Sequence, residues 1–531
     1  MKQFEVQRKQ IEYVSKALEI VLFLVIKKKL GLEGSGIFLI PLMIFIVLWS
    51  FVGECLPDVL ARMIRIRRNK GQYKSIVSIR LYAFVVQAFL GILGSFVMLT
   101  FGTYLGEKVF GCPYASIMIW VLSPLLFLRG ISSLLLGYCS GEGFELPAVI
   151  VSLLRVVVTY GFGIVLGAVS GDYGAKVSSL LKEERYVSMY VGEGWCVAMD
   201  MAELVIILFL FFSFLGCKKS KNKAEYEATK ASTSFQGYVS ALFFNKVFRA
   251  LVVFTEAFPI AFGMMSYYKR VGGDAPVKYG TFFVGYLAVC LICIRLLNAV
   301  AVPFWSKVAS YVKQDEVRLG RMVFHAGIHL VLALGLILCA CVTTMPSQLG
   351  ALAGFTSPNI VGVVSQGSAL IVFASLGFYF SRMLMRFKKN LIAAGMGIMM
   401  DVIFVMTFSM MWKDGKMDLM ALTYAGMISY AAYMFMLGAI CVRIIGGRID
   451  WTRSIILPAF IAFGVGVIQA LGVKLLGDKL ESLYVVIMIG GVGFVAYWCV
   501  LAFLKNFTKE ELSVMPFGKV LKSLGSMLGI D

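Results

Sequence analysis

The stretches VGVVSQGSALIVFASLGFYF (361–380) and LYVVIMIGGVGFVAYWCVLAFL (483–504) contain no charged residue. A helix needs about 20 apolar residues to cross about 30 Å of hydrocarbon, and both stretches meet that length. Backbone groups in lipid have to be satisfied within the segment, so such runs are helices and not open sheet. The two-residue alternation of an outer-membrane barrel is absent. Working outward, similar runs fill the chain. Of its 531 residues 60% are hydrophobic and 15% charged, against about 45–50% apolar and about 25% charged in a soluble domain. The reading is an all-α integral membrane protein with about fourteen transmembrane helices. The expected spans are 11–30, 37–60, 75–105, 114–138, 147–169, 196–216, 236–264, 281–304, 322–344, 358–381, 391–411, 419–443, 454–473 and 483–504. The third and seventh are longer than a bilayer requires and must tilt or protrude.

The formal net charge of +20 does not indicate nucleic acid, because the basic residues cluster at helix ends. There they fix topology and meet anionic lipid headgroups. With the N-terminus inside, the inner segments 62–74, 218–230, 306–321, 382–390 and 446–453, with both termini, hold roughly 30 Lys and Arg against roughly 14 outside. Lys27–Lys29 are the exception, near the outer end of the first span. The start MKQFEVQRKQ is basic, and Ile11–Ile26 follows it without a small-residue cleavage site, so this run reads as a retained helix. The cysteines are scattered through apolar runs. Cys290 and Cys293 form a C-x-x-C within a helix and read as packing thiols.

An ionisable residue inside a span costs a few kcal/mol unless it is paired or wet. Glu19 lies in the first span, and Glu54 and Asp58 lie in the second. Arg129 lies in the fourth, Arg155 in the fifth, and Arg295 in the eighth. Asp401 lies in the eleventh. Lys246, Arg249 and Glu256 of the seventh share one helix face. Each taken alone fits a structural pair or a snorkelling side chain. As a set, the basic residues describe a cationic interior suited to an anion such as a pyrophosphate, since Arg offers a rigid fork of donors and Lys a compact charge. Lys27, Lys28, Arg129, Arg155, Lys246, Arg249 and Arg295 are the candidate binding residues. Glu54, Asp58, Glu256 and Asp401 are candidates for charge pairing or for Na⁺ or H⁺ coupling. His325 and His329 share a face but lack an evident third ligand, so they read as polar packing and not as a metal site. No Walker A, G-x-S-x-G or H-E-x-x-H pattern occurs, so neither an enzyme nor a bound cofactor is expected.

Pro57, Arg62 and the Gly71–Lys74 connection after the second span have a counterpart six spans later in Pro303, Lys307 and the Asp315–Arg318 connection. A parallel repeat of six helices about an axis along the membrane normal produces such a recurrence.

The stretch 27–74 resembles the start of the multidrug/oligosaccharidyl-lipid/polysaccharide (MOP) exporter superfamily. It carries a basic residue before Leu30-Gly31, then Glu33-Gly34 and Gly36, the Pro57 helix end and Gly71-x-Tyr73. The stretch 123–158 is similar to the same family at Pro124, Gly137-Tyr138, Gly141, Pro147 and Arg155, and AVPFWSKVASYV (301–312) resembles its proline-serine helix end. The nearest likeness is to the polysaccharide-exporter branch with sporulation protein B-like and lipid II flippases. That resemblance implies two pseudo-twofold-related six-helix lobes around a central cavity, with two further C-terminal helices that form a groove for a lipid tail. On this plan residues 1–217 are the N-terminal lobe and 218–235 a cytoplasmic linker. Residues 236–445 are the C-terminal lobe, and 446–531 hold spans thirteen and fourteen and a cytoplasmic tail.

The implied activity is alternating-access translocation of an undecaprenyl-pyrophosphate-linked oligosaccharide or peptidoglycan precursor across a bacterial plasma membrane. The partners would be membrane lipid and the lipid-linked glycan, with a monomeric protein that envelope-synthesis enzymes accompany. Lys27–Lys29 and Arg155 sit in matching segments, whereas Lys246, Arg249 and Arg295 match no motif of the family. The charged connection Ser170–Gly194 is longer than the other outer loops. A MATE-like cation-coupled drug antiporter and a non-transporting scaffold of an envelope-synthesis complex are the alternative readings.

Overall fold

The computed structural model describes residues 2–219, 234–352, 358–413, 418–446, 450–477, 481–516 and 518. Every described element is a helix, and the chain divides into two compact units, Met1–Gly280 and Thr281–Asp531. In the first unit, α1 (Lys2–Val52) is two helices joined at Gly31, whose φ of 71° lies in the left-handed region that glycine adopts without a steric penalty. Pro57 starts α2 (Leu56–Asn69), which buries Leu56, Val59, Leu60 and Ile64 on one face and carries Arg62, Arg65, Arg67 and Arg68 on the rest. Then come α3 (Tyr73–Tyr104), α4 (Ala115–Leu122), α5 (Pro124–Gly141), α6 (Leu146–Leu181), α7 (Arg185–Lys219), α8 (Phe235–Val271) and α9 (Ala275–Phe282), which carries the chain into the second unit.

The second unit comprises α10 (Ala288–Lys313), α11 (Val317–Thr344), α12 (Pro346–Leu352), α13 (Pro358–Gly367), α14 (Leu370–Arg386), α15 (Asn390–Met411) and α16 (Asp418–Ile445). It ends with α17 (Leu457–Leu476), α18 (Ser482–Val485), α19 (Gly491–Phe503) and α20 (Lys509–Val514). After α19 the chain turns at Lys505 (φ 48°) and buries Asn506, whose amide lies 2.8 Å from Nε2 of His329 on α11. That contact accounts for one of the two histidines of α11. Pro303 lies inside the unbroken α10, whereas Pro57 follows a break at Gly53–Cys55, so the two proline ends of the expected repeat differ locally.

Among the described residues, eleven helices are long and apolar enough to cross a membrane, or twelve if the bent pair Ile360–Gly367 and Leu370–Arg386 is one span. The sequence count of fourteen differs for two reasons. The stretch Phe235–Lys313 passes as one 79-residue run although it turns at Gly272–Asp274. The expected first span carries Glu12, Lys16, Glu19 and Lys27 and is too charged to qualify. The uncharged stretch 361–380 is not one straight span either. It bends by 45° between Gly367 and Leu370. Outside the protein core, α3 exposes Leu81, Phe84, Val85, Phe89, Ile92 and Phe96. So large an apolar surface is tolerable only against hydrocarbon, and the chain is a multi-pass membrane protein.

The expected loop Ser170–Gly194 is corrected. Only Lys182–Glu184 connect α6 and α7, and the rest is helix. At 1.5 Å per residue the 36 residues of α6 far exceed about 30 Å of hydrocarbon. A row of glycines permits this. Gly163 and Gly167 face the ring of Trp195, Gly171 faces Val191, and Gly174 faces Tyr190. From the other side, a Cβ on Gly194 would stand 2.6 Å from the Leu166 carbonyl oxygen. Charge and glycine content read as loop in the sequence, while close backbone approach is what the glycines serve. Gly194→Val is expected to destabilise by about 2 kcal/mol or more through overpacking, seen as a lowered melting temperature in detergent. An unchanged melting temperature would refute the close packing of α6 on α7.

Candidate functional site

Much of the buried charge in the first unit lies in two groups. At the start of α1, Arg8 is 5% exposed and pairs with Asp58 at 2.8 Å and with Glu145 at 3.5 Å, and Lys9 reaches Asp58 at 2.6 Å. Arg65 of α2 also pairs with Glu145, and Arg80 of α3 pairs with Glu142. The guanidinium of Arg8 is held more basic than usual. Burial opposes this, but Asp58, Glu12 and Glu145 around it prevail. Asp58 is thereby a partner of the N-terminal segment, and Arg249 of α8 acts on it electrostatically as well.

Deeper along the chain, Lys16 pairs with Glu54 at 2.8 Å, and the Trp49 indole N–H donates to the other Glu54 oxygen at 2.6 Å. The Trp49 and Phe45 rings in turn lie under the Arg129 guanidinium, at 5.9 and 5.4 Å from its carbon. Such cation–π contacts contribute about 0.5–2 kcal/mol each. Glu203 of α7 joins Arg129 of α5 to Arg155 of α6. Arg155 grips it with two donors, Nη2 to Oε1 at 3.0 Å and Nε to Oε2 at 3.1 Å. Arg129 Nε lies 3.9 Å from Oε2, and the Ser132 hydroxyl, one turn along α5 from Arg129, donates to Oε1. The carboxylate is 2% exposed, whereas each arginine is 22% exposed. Two guanidiniums thus share one buried carboxylate while each keeps part of its surface accessible. Their forks suit a second anion with the geometry of carboxylate or phosphate.

The other expected residues stand elsewhere. Lys246 is buried, and its ammonium donates to the Val52 carbonyl at 2.6 Å, at the negative end of α1, with Gln87 at 3.4 Å. Lys27 and Glu256 are buried on α1 and α8. The side chain of Lys28 lies outside the described residues, as do positions 220–233 of the expected linker. Arg295 is half-buried on α10 in the second unit. Asp401 is buried on α15, and its Oδ1 has no hydrogen-bond partner among the described residues. The sequence reading does not single out Glu203, Asp200 or Glu193. Their signal is nonetheless present as three acids on one face of α7, at spacings of seven and three.

In the second unit, Thr452, Ile456, Leu457, Phe460, Ile461 and Leu504 line an open apolar groove of about 390 Å³ beside α17 and α19.

No family model matches the chain, and no curated protein matches it. Solved structures do. A MOP superfamily transporter from Pyrococcus furiosus aligns with TM-score 0.61 at 15% identity, over 84% of this chain and 96% of that one. An outward-facing multidrug resistance MATE family transporter aligns at 0.59 and 15% identity, over 83% and 96%. An inward-facing one aligns at 0.56 and 14%, over 84% and 95%. The fold is that seen in the MOP superfamily transporters, and the protein is a multi-pass membrane protein.

Proposed function

We propose that this chain is a MOP exporter that moves a lipid-linked pyrophosphate sugar across a bacterial plasma membrane by alternating access, with both termini on the cytoplasmic side. The observation that carries the reading is the Arg129–Arg155 pair, two partly accessible guanidiniums on a single buried carboxylate. The pair binds the pyrophosphate headgroup. The groove lined by Phe460, Ile461 and Leu504 supports the lipid half of the substrate, since a polyprenyl tail needs an apolar surface open to the bilayer. The Pyrococcus transporter is itself described as having a binding pocket of reversed polarity that suggests a different function, which fits a fold whose cargo follows the charge of its interior.

A MATE-like antiporter coupled to H⁺ or Na⁺ is the second reading. It is favoured by Asp401, and by Asp200 and Glu193, each with a buried oxygen lacking a partner among the described residues. Reconstitution separates the two. Proteoliposomes are expected to flip a fluorescent undecaprenyl-pyrophosphate-linked sugar and to leave a cationic dye gradient unchanged. Dye antiport without flipping would select the second reading.

A further inference from the structure

We infer that the segment 505–515 after α19 is a strap that sets the width of the apolar groove beside α17, with His329 of α11 as its anchor; this rests on the reading above of that groove as the seat of a lipid tail. The groove has two unequal sides. Thr452 and Ile456 lie on the wide turn that leads into α17, and Leu457, Phe460 and Ile461 continue along the helix. Among the described residues, the other side comes from Leu504 alone. Leu504 follows the last residue of α19 and directly precedes the turn at Lys505. The place where that turn is held therefore decides where Leu504 stands.

A single side chain does most of the holding. His329 is 1% exposed and meets three residues of the segment. The Asn506 amide lies 2.8 Å from Nε2, Glu511 Oε1 lies 3.6 Å from Nδ1, and the Phe507 ring centroid lies 4.3 Å from that of the imidazole. Both ring nitrogens thus face the strap. Phe507 also stacks on Trp498 of α19, with the ring planes 16° apart. Thr508 and Glu511 cap the start of α20 reciprocally, which fixes Glu511 near the imidazole. At the far end Met515 is buried, and Lys307 of α10 donates to the Val514 carbonyl at 3.3 Å. The hinge itself is strained. Lys505 has φ 48°, in the left-handed region that a side chain disfavours. Such a conformation persists where surrounding contacts over-determine it, and here those are the contacts to His329. Their loss lets Lys505 relax, and Leu504 leaves the groove with it. Anchored, the strap lets Leu504 and α17 grip a hydrocarbon chain from two sides. Released, it leaves the chain against α17 alone, so the strap retains a tail or lets it go.

The test uses the purified full-length protein in nanodiscs. Hydrogen exchange read by mass spectrometry follows the strap, and photo-crosslinking to a benzophenone-tagged undecaprenyl phosphate in the same bilayer follows the groove. In H329A, exchange over 505–515 is expected to approach that of an unstructured peptide, while α6 and α7 exchange as in wild type. Crosslinking to the peptide that holds Phe460 and Ile461 is expected to fall at least about threefold, because the second wall is absent most of the time. H329Q keeps a polar partner for Asn506 but no ring for Phe507, and is expected to fall between the two. Where H329A does not fold, N506A removes the anchor from the strap side and leaves α11 whole, with the same two changes expected. Exchange as slow as in wild type overturns the anchor. Faster exchange with unchanged crosslinking overturns the strap's hold on the groove, while the lipid reading of the groove survives. No crosslinking at the groove in wild type overturns that reading and the strap's role together.

Discussion

Arg155→Ala is expected to abolish transport of a lipid-linked sugar and to cost about 3–5 kcal/mol of stability, because it leaves a buried carboxylate without its bidentate partner. Glu203 then keeps only Ser132 and the Arg129 contact at 3.9 Å. Arg155→Lys separates charge from geometry. An ammonium restores the charge and part of the stability but not the parallel pair of donors, so flux is expected to stay at least about tenfold below wild type. Arg129→Ala is milder for the fold, about 1–2 kcal/mol, since it loses ring contacts and a distant charge rather than a fork. Its effect on flux is expected to match that of Arg155→Lys. Melting in detergent and flipping in proteoliposomes read the two quantities separately. Full flux in Arg155→Ala would remove the pair from the binding site, leaving the fold assignment intact.

The membrane class was legible because it rests on run length, which a sequence displays directly. The segments 361–380 and 483–504 admit no other reading in lipid. Helix limits were less legible. The rule that a bilayer needs about 20 residues placed the end of the fifth span near 169, while α6 continues to Leu181 because its glycines fit Trp195, Val191 and Tyr190. Partners of charges were least legible, because pairing is a tertiary fact. Arg155 and Glu203 are 48 positions apart, and neither residue's neighbours in sequence announce the other. The list of intramembrane charges therefore overstated the positive balance, by including Arg129 and Arg155 and passing over Glu203. Lys246 shows the same limit in another form. Its partner is the Val52 carbonyl, a backbone group that every sequence position carries and that no residue type reveals.

The glycines of the resemblance motif lend themselves to a sharper experiment. Gly34 and Gly36 follow the Gly31 turn, and their roles differ from it. A Cβ on Gly34 would meet the Ser188 side chain of α7 at 2.6 Å, a neighbour able to shift. A Cβ on Gly36 would fall on the carbonyl group of Pro276 in α9, and one on Gly280 would fall on the Leu32 carbonyl and come within 3.0 Å of the Gly36 nitrogen. The two helices therefore cross backbone to backbone, each through the other's glycine, as small residues permit in membranes. Tyr268 seals the crossing by donating its hydroxyl to the Gly36 carbonyl at 2.9 Å. Backbone cannot rotate away as a side chain does, so Gly36→Val is expected to cost about 3 kcal/mol or more and to leave little monodisperse protein. Gly31→Ala has open space around its Cβ but a φ of 71°, so it is expected to cost about 1–2 kcal/mol from the backbone alone. Gly273→Ala has neither obstacle and is expected to stay within about 0.5 kcal/mol of wild type. Melting temperatures in detergent for the three variants test that order. Were Gly36→Val as stable as Gly273→Ala, the close crossing of α1 and α9 would be wrong, and the Gly34 and Gly36 motif would need an explanation other than packing.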